Sequence, residues 1–324
     1  MHRNPLVRRA LSHARRLVPT CALACASALG AVTTAHAQTF PTGPITIVVG
    51  FTPGGSNDVI ARAIAPKLGE ILGVSVIIEN KAGGAGAVGT AYTVNAKPDG
   101  HTITLGSSSV FSIGPVANTK LPYKLSDLQA VATVASATSV VAINPKLQVR
   151  NMQELIALAK TRPVSLASAG TGGISHLNIE VFRLESGANF LHVPYKGAAP
   201  GITDVIGGQI DGIAMDYSVL KPPMDQGRLR GIAASAAVDG IEVWPSITPS
   251  WYGLMTSAKV PKSTINKLHA AFNKLLADPE IVGKLEGMGM KPLVFDTPEQ
   301  TDAFIRADSA KWADVIKKAD LKLD

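Results

Sequence analysis

Past residue 25 the chain has no cysteine; its two, Cys21 and Cys25, both lie near the N-terminus. A chain without thiols beyond that point has no disulfide, thiol nucleophile or zinc–thiolate site, and it suits an oxidising compartment. Acids are missing from residues 1–16, where Arg3, Arg8, Arg9, Arg15 and Arg16 stand. The apolar "CALACASALGAVTT" of residues 21–34 follows, then Ala35-His36-Ala37 ahead of Gln38. That order predicts a cleaved secretory signal peptide over residues 1–37, too short and too rich in small residues for a spanning helix. No later apolar run reaches spanning length, so the processed chain is expected to be a soluble, periplasmic protein.

A basic stripe is lacking too. The 31 basic and 24 acidic residues include the five arginines of the signal, so 26 against 24 remain after cleavage. That balance predicts no nucleic-acid partner. The remaining histidines, His101, His176, His192 and His269, show neither i,i+4 nor H-x-H spacing, so no metal site is expected. No G-x-S-x-G elbow occurs, which leaves Ser175-His176 with Asp204, Asp211 or Asp216 a weak triad. No catalytic residue is assigned and the chain is not expected to be an enzyme. "GGAGAVG" (83–89) formally contains G-x-G-x-x-G at Gly84, Gly86 and Gly89, but no acid follows about twenty positions on. A glycine-rich helix start is the better reading, and no cofactor is expected.

What is present is an alternation of strand and helix patterns. "PITIVVGF" (44–51), residues 74–80 and residues 101–107 read as strands, with helices at 56–72 and 86–97 between them. A βαβαβ succession implies a parallel sheet flanked by helices. "LQAVATVASATSVVAINP" is a long β-rich run without a helix and reads as a crossing between lobes. A second set follows: helices 151–162, 173–186 and 199–207, and strands 164–170, 190–197, 211–218 and 229–236. Helices near 261–277 and 298–319 read as a return to the first lobe. The expected division is 38–139 plus 237–324 for lobe 1 and 140–236 for lobe 2.

One device occurs once in each lobe: a strand, small residues, a Gly-Gly pair, a serine and then a helix. It is "VVGFTPGGSNDVIARAI" in the first lobe and "SLASAGTGGISHLNIEVF" in the second. Glycines let a ligand approach the backbone, and the first N–H groups of a helix have no partner within it. With the helix dipole they form an anion site that needs no cationic side chain. Three loops at strand ends qualify: Phe51–Asp58, Gly106–Ser112 and Ser168–His176, and none contains Arg or Lys. They offer backbone N–H groups, the hydroxyls of Thr52, Ser56, Ser107, Ser108, Ser109, Thr171 and Ser175, and the Asn57 amide. The competing reading is a pair of tight turns with capping serines. Asp58/Arg62 and His176/Glu180, each spaced i,i+4, read as a structural pair and a helix-surface pair. Tyr195 and Lys196 end a strand near the cleft.

These pieces, with "VIIENKAGGAGAVGT", "AKPDGHTITLGSSS", "HVPYKGAAPGITDVIGGQID" and "SWYGLMTSAKVPKSTINKLHAAFNK" in this order, resemble the substrate-binding proteins of tripartite tricarboxylate transporters, the Bug family. The resemblance implies an α/β, two-lobed periplasmic-binding-protein fold of the type II, Venus-flytrap kind, each lobe a mostly parallel sheet flanked by helices. It implies a small carboxylate ligand, an organic acid or acidic amino acid. Delivery would be to a transporter of one large and one small membrane subunit, from a monomeric receptor. Carried onto this chain, the first carboxylate loop is Phe51, Pro53, Gly54, Gly55, Ser56, Asn57 and Asp58. The opposing loop is Gly170, Thr171, Gly172, Gly173, Ser175 and His176, with Ser107, Ser108, Ser109, Tyr195 and Asp216 along the cleft. The segment 231–250 is shorter than is usual in the family by about a dozen residues. A sensor that presents its ligand to a membrane kinase is the alternative partner assignment, and a secreted hydrolase a further one.

Overall fold

Ile45, Ile47, Val48 and Val49 are completely buried, so their strand needs covering on both faces and pairing along both edges. The computed structural model, which describes residues 40–118 and 120–318, supplies both. β1 (Ile45–Val49) leads through a turn into α1 (Ser56–Leu72), then β2 (Val76–Asn80), α2 (Ala87–Asn95) and β3 (Thr102–Ser107). β1 lies parallel to β2 on one side and to β3 on the other. Ile60, Ile64 and Leu68, at helical spacing on α1, are fully buried. The signal-peptide segment lies outside the described residues.

Two helical turns, Ser109–Ile113 and Gly114–Ala117, occupy a stretch that the sequence reading treats as loop. The chain then crosses to a second sheet. β4 (Leu128–Ala137) and β5 (Ser139–Ile143) divide the long β-rich run, and they belong to different sheets. Between them stands Thr138 alone. Its N–H donates to Gly289 O and its C=O accepts from Tyr217 N.

The second set is α3 (Met152–Thr161), β6 (Val164–Ser168), α4 (Ile174–Ser186), β7 (Phe190–Pro194), α5 (Ala198–Gly207), β8 (Gly212–Asp216), α6 (Tyr217–Asp225) and β9 (Arg230–Ala234). Asn151 caps α3, its side chain accepting from Glu154 N at 2.8 Å. Such a cap is worth about 1 kcal/mol. β5 shows why this sheet is covered on both faces. Val141 and Ile143 join one apolar cluster with Met152, Leu155 and Phe182, while Val140 and Ala142 join another with Val205 and Leu220. The return passes beside the outward crossing: Ser235 N donates to Ser139 O, and Ser250 pairs with Ala137.

β10 (Ser250–Ser257), α7 (Lys262–Leu276), α8 (Pro279–Gly287), β11 (Met290–Pro292) and α9 (Pro298–Lys318) complete the chain. The sheet orders are β11-β4-β10-β3-β1-β2 and β7-β6-β8-β5-β9. The architecture is the expected two-lobed α/β one, but both sheets are mixed instead of mostly parallel. Parallel pairing is confined to β2-β1-β3 and β7-β6-β8. The strands next to the crossings, β4, β5, β9 and β10, pair antiparallel because the chain reverses as it changes sheet. The strand read over 211–218 stops at Asp216, where α6 begins. Pro222 and Pro223 inside α6 hide its helical pattern from the sequence.

Candidate functional site

The two Gly-Gly turns do the same thing at the ends of β1 and β6. Gly55 is the N-cap of α1 and Gly173 that of α4; both are extended, and neither helix has a side-chain cap. Ser56 and Ser175 sit inside the first turns, so the capping-serine reading fails. Ser175 Oγ instead accepts from Ala169 N at 3.3 Å. Among the described residues, the N–H groups of Ser56 and Asn57 in α1, and of Ser175 and His176 in α4, make no hydrogen bond. Ile174 N donates to Ser109 Oγ at 2.9 Å, a contact from the first lobe to a helix of the second.

These helix starts border one cavity, with about 590 Å³ of atom-free space including its open side. Ten of the residues named from the sequence line it: Phe51, Gly55, Ser56, Asn57, Ser107, Ser109, Gly170, Gly173, Ser175 and Asp216. No Lys, Arg or His is among its lining residues. Asn57 is 6 % exposed and its Oδ1 has no partner. The positive end of the field therefore comes from backbone dipoles, worth about 0.3–2 kcal/mol per helix end toward an anion depending on burial.

Other named residues lie elsewhere, each for a visible reason. Pro53 and Gly54 are exposed on the outside of the turn. Asp58 is tied to Gly54 N (2.9 Å), Arg62 Nε (2.8 Å) and Asn80 Nδ2 (3.0 Å). Burial alone would raise its pKa, but those donors overcome it and hold the carboxyl below the usual carboxylate range. Ser108 is buried and does not line the cavity, and its Oγ has no partner. Thr171, Gly172 and Tyr195 line a neighbouring cavity with about 1120 Å³ of atom-free space including its open side, which shares Phe51, Ala85, Ser109, Ala169 and Gly170 with the first. Lys196 lines it as well. Tyr195 OH donates to Asp204 Oδ2 at 2.6 Å, and burial together with that carboxylate pushes the phenol up to about 12.

His176 is not on a helix surface. It is buried and stacked on His192 with 3.7 Å between ring centroids. Gly172 N donates to its Nδ1 at 3.0 Å, and Ser168 Oγ stands 2.6 Å from His192 Nε2. The pair thus buttresses the second-lobe loop from behind. Burial lowers both rings, His192 to about 4 with His176 adding to the effect.

The sequence reading passed over Tyr252, Ser250, Asn178, Ser139 and Ala85, all of which line the cavity. Ser250 and Tyr252 alternate along β10, a period-2 signal that pointed to one face of a strand. Tyr252 OH donates to Asp216 Oδ2 from the opposite sheet. Asp216 stands at the N-cap position of α6 without capping it. Burial pushes its carboxyl up to about 6, with Ser250 and Ser56 opposing the shift; Ser56 Oγ lies near but makes no hydrogen bond of good geometry. The glycines of "GGAGAVG" serve packing: a Cβ at Gly89 would stand 2.9 Å from Gly50 Cα.

Across residues 60–321 the chain matches the sequence profile of the tripartite tricarboxylate transporter family receptor. It belongs to that family of receptors. Protein BugT of Bordetella pertussis is 32% identical over 303 residues, covering 89% of this chain and 92% of BugT. The solved periplasmic binding protein BugD is 27% identical with a TM-score of 0.82, covering 86% and 98% of the two chains. An R. palustris protein solved with adipate is 26% identical, also at 0.82, with the same coverage. The receptors of the family are periplasmic substrate-binding proteins and not enzymes, so this chain has a solute-binding role. No helix among the described residues is long and apolar enough to cross a membrane.

Proposed function

We propose that this receptor closes its two lobes on a small carboxylate and delivers it to a membrane transporter made of one large and one small subunit. The observation that carries the reading is the pair of uncapped helix starts, one from each lobe, bordering one cavity without a cationic side chain. Backbone N–H groups and hydroxyls grip an anion by hydrogen bonds, and the grip is undone when the lobes part. The relative solved with adipate binds a carboxylate with the same fold, which supports the ligand class. Residues 1–37, read as an export signal, support a periplasmic site of action.

The test is calorimetry of the purified chain against a panel of mono- and dicarboxylates, repeated on Asn57→Asp. The substitution is nearly isosteric, and an acid in the first turn of α1 is favoured by the helix dipole, which offsets part of the cost of burying it; thermal unfolding of the variant checks that it folds. Carboxylate binding should weaken at least about tenfold by like-charge repulsion. Undiminished binding by Asn57→Asp would show that the anion does not rest at α1. Co-purification of the liganded receptor with its membrane subunits tests delivery.

A further inference from the structure

The cavity contains a group that a plain carboxylate leaves unused. Asp216 is 3 % exposed and lines the cavity, and its side chain takes no part in capping α6. Tyr252 OH occupies Oδ2, and the Ser250 and Ser56 hydroxyls stand beside the carboxyl, but no hydrogen bond of good geometry reaches Oδ1 among the described residues. The buried Asn57 Oδ1 adds a second acceptor without a partner. So the cavity has donor-only groups at the helix starts and acceptors beside them.

Ser56 links the two. Its N–H opens α1, and its hydroxyl lies beside the Asp216 carboxyl. An anion at that helix start brings the carbon next to its carboxylate close to Asp216. A methylene there would leave the Asp216 carboxylate only the Ser250 and Ser56 hydroxyls in exchange for water, which is costly, and a second carboxylate would be repelled. A hydroxyl or ammonium on that carbon satisfies it.

We propose that Asp216 selects carboxylic acids that carry a hydrogen-bond donor, hydroxyl or ammonium, on the carbon adjacent to the bound carboxylate, with Tyr252 positioning the Asp216 side chain. This rests on the carboxylate reading above and narrows it. The arrangement resembles a site built to hydrogen-bond a substituent, which rejects the analogue that lacks it because its own polar group goes unpaired.

Calorimetry at pH 7.5 on the wild-type chain, with the matched sets succinate, malate and aspartate, and propionate, lactate and alanine, tests it. The donor-bearing members should bind about 10–100-fold tighter than the unsubstituted acid of their set. In Asp216→Asn the preference for the ammonium member should shrink about tenfold, because the ion pair is lost, while the hydroxy acid keeps an amide acceptor. Unsubstituted acids binding within about threefold of the others would overturn the role of Asp216 and leave the carboxylate reading standing. A preference for the ammonium member that survives unchanged in Asp216→Asn would overturn that role equally. Binding by no member of either set would overturn the carboxylate reading and this inference with it. The wild-type comparison decides the matter even if the variant does not fold.

Discussion

The phenol of Tyr252, on β10 of the first sheet, donates to the carboxyl of Asp216, at the end of β8 in the second. Both residues are buried, 2% and 3% exposed, so the bond ties the lobes together through the cavity itself. Tyr252→Phe removes the phenol donor from a buried carboxyl and leaves it only the neighbouring Ser250 and Ser56 hydroxyls. We expect a loss of about 1–3 kcal/mol in urea denaturation at pH 7.5. Carbon-13 NMR of the Asp216 carboxyl should place its titration near 6 in the parent and higher in the variant. A carboxyl titrating in the ordinary aspartate range in both would show that burial does not govern it.

Acid should loosen the second-lobe loop through the stacked histidines. His192 has a folded-state pKa of about 4, below the ordinary imidazole value of 6.5, so the unfolded chain binds more protons between those limits. Its contribution is therefore present above the unfolded value and lost as pH falls from 6.5 toward 4, by about 1–3 kcal/mol. Asp216 has the opposite sign. Its folded value of about 6 lies above the ordinary 3.8, so its contribution is present at low pH and lost as pH rises through 6. Urea midpoints across this window should fall more steeply with acid in Asp216→Asn than in the parent. A slope unchanged by that substitution would contradict the assignment.

Trp312 of α9 packs against Ile174 and Leu177 of α4, with Ile113 completing the cluster. Because α9 lies on β4 of the first sheet and α4 flanks the second, this is apolar surface buried between the lobes. Trp312→Ala should cost about 3–5 kcal/mol in chemical denaturation. It should also weaken ligand affinity, since closure would bury less. Affinity equal to the parent's would mean that the cluster holds whether the lobes are open or closed.

The two uncapped turns were readable because their signal is local. Gly54-Gly55-Ser56 and Gly172-Gly173 mark strand-to-helix junctions within a few residues, and the helix that follows dictates where its free N–H groups lie. His176 was misread for the complementary reason. Its i,i+4 spacing to Glu180 suggested a solvent-facing pair, and the two do stand 3.7 Å apart, but His192 covers the ring from a neighbouring strand. Asp58 reads from sequence both as a structural partner of Arg62 and as a site residue. Only Asn80, arriving from β2, and the Gly54 N–H decide that its oxygens are already used.

By itself the chain's order of residues determined the alternation of strands and helices, the two glycine turns and the lack of any cationic side chain in the loops that follow them. Those are properties of neighbours in sequence, set by backbone sterics and hydrophobic period. The tertiary structure alone decided that Tyr252 meets Asp216, that Ser109 reaches Ile174, and that the long β-run is divided between the two sheets. Each of these joins residues brought together by the double crossing at Thr138 and Ser235, and no local period encodes which strand lies beside which.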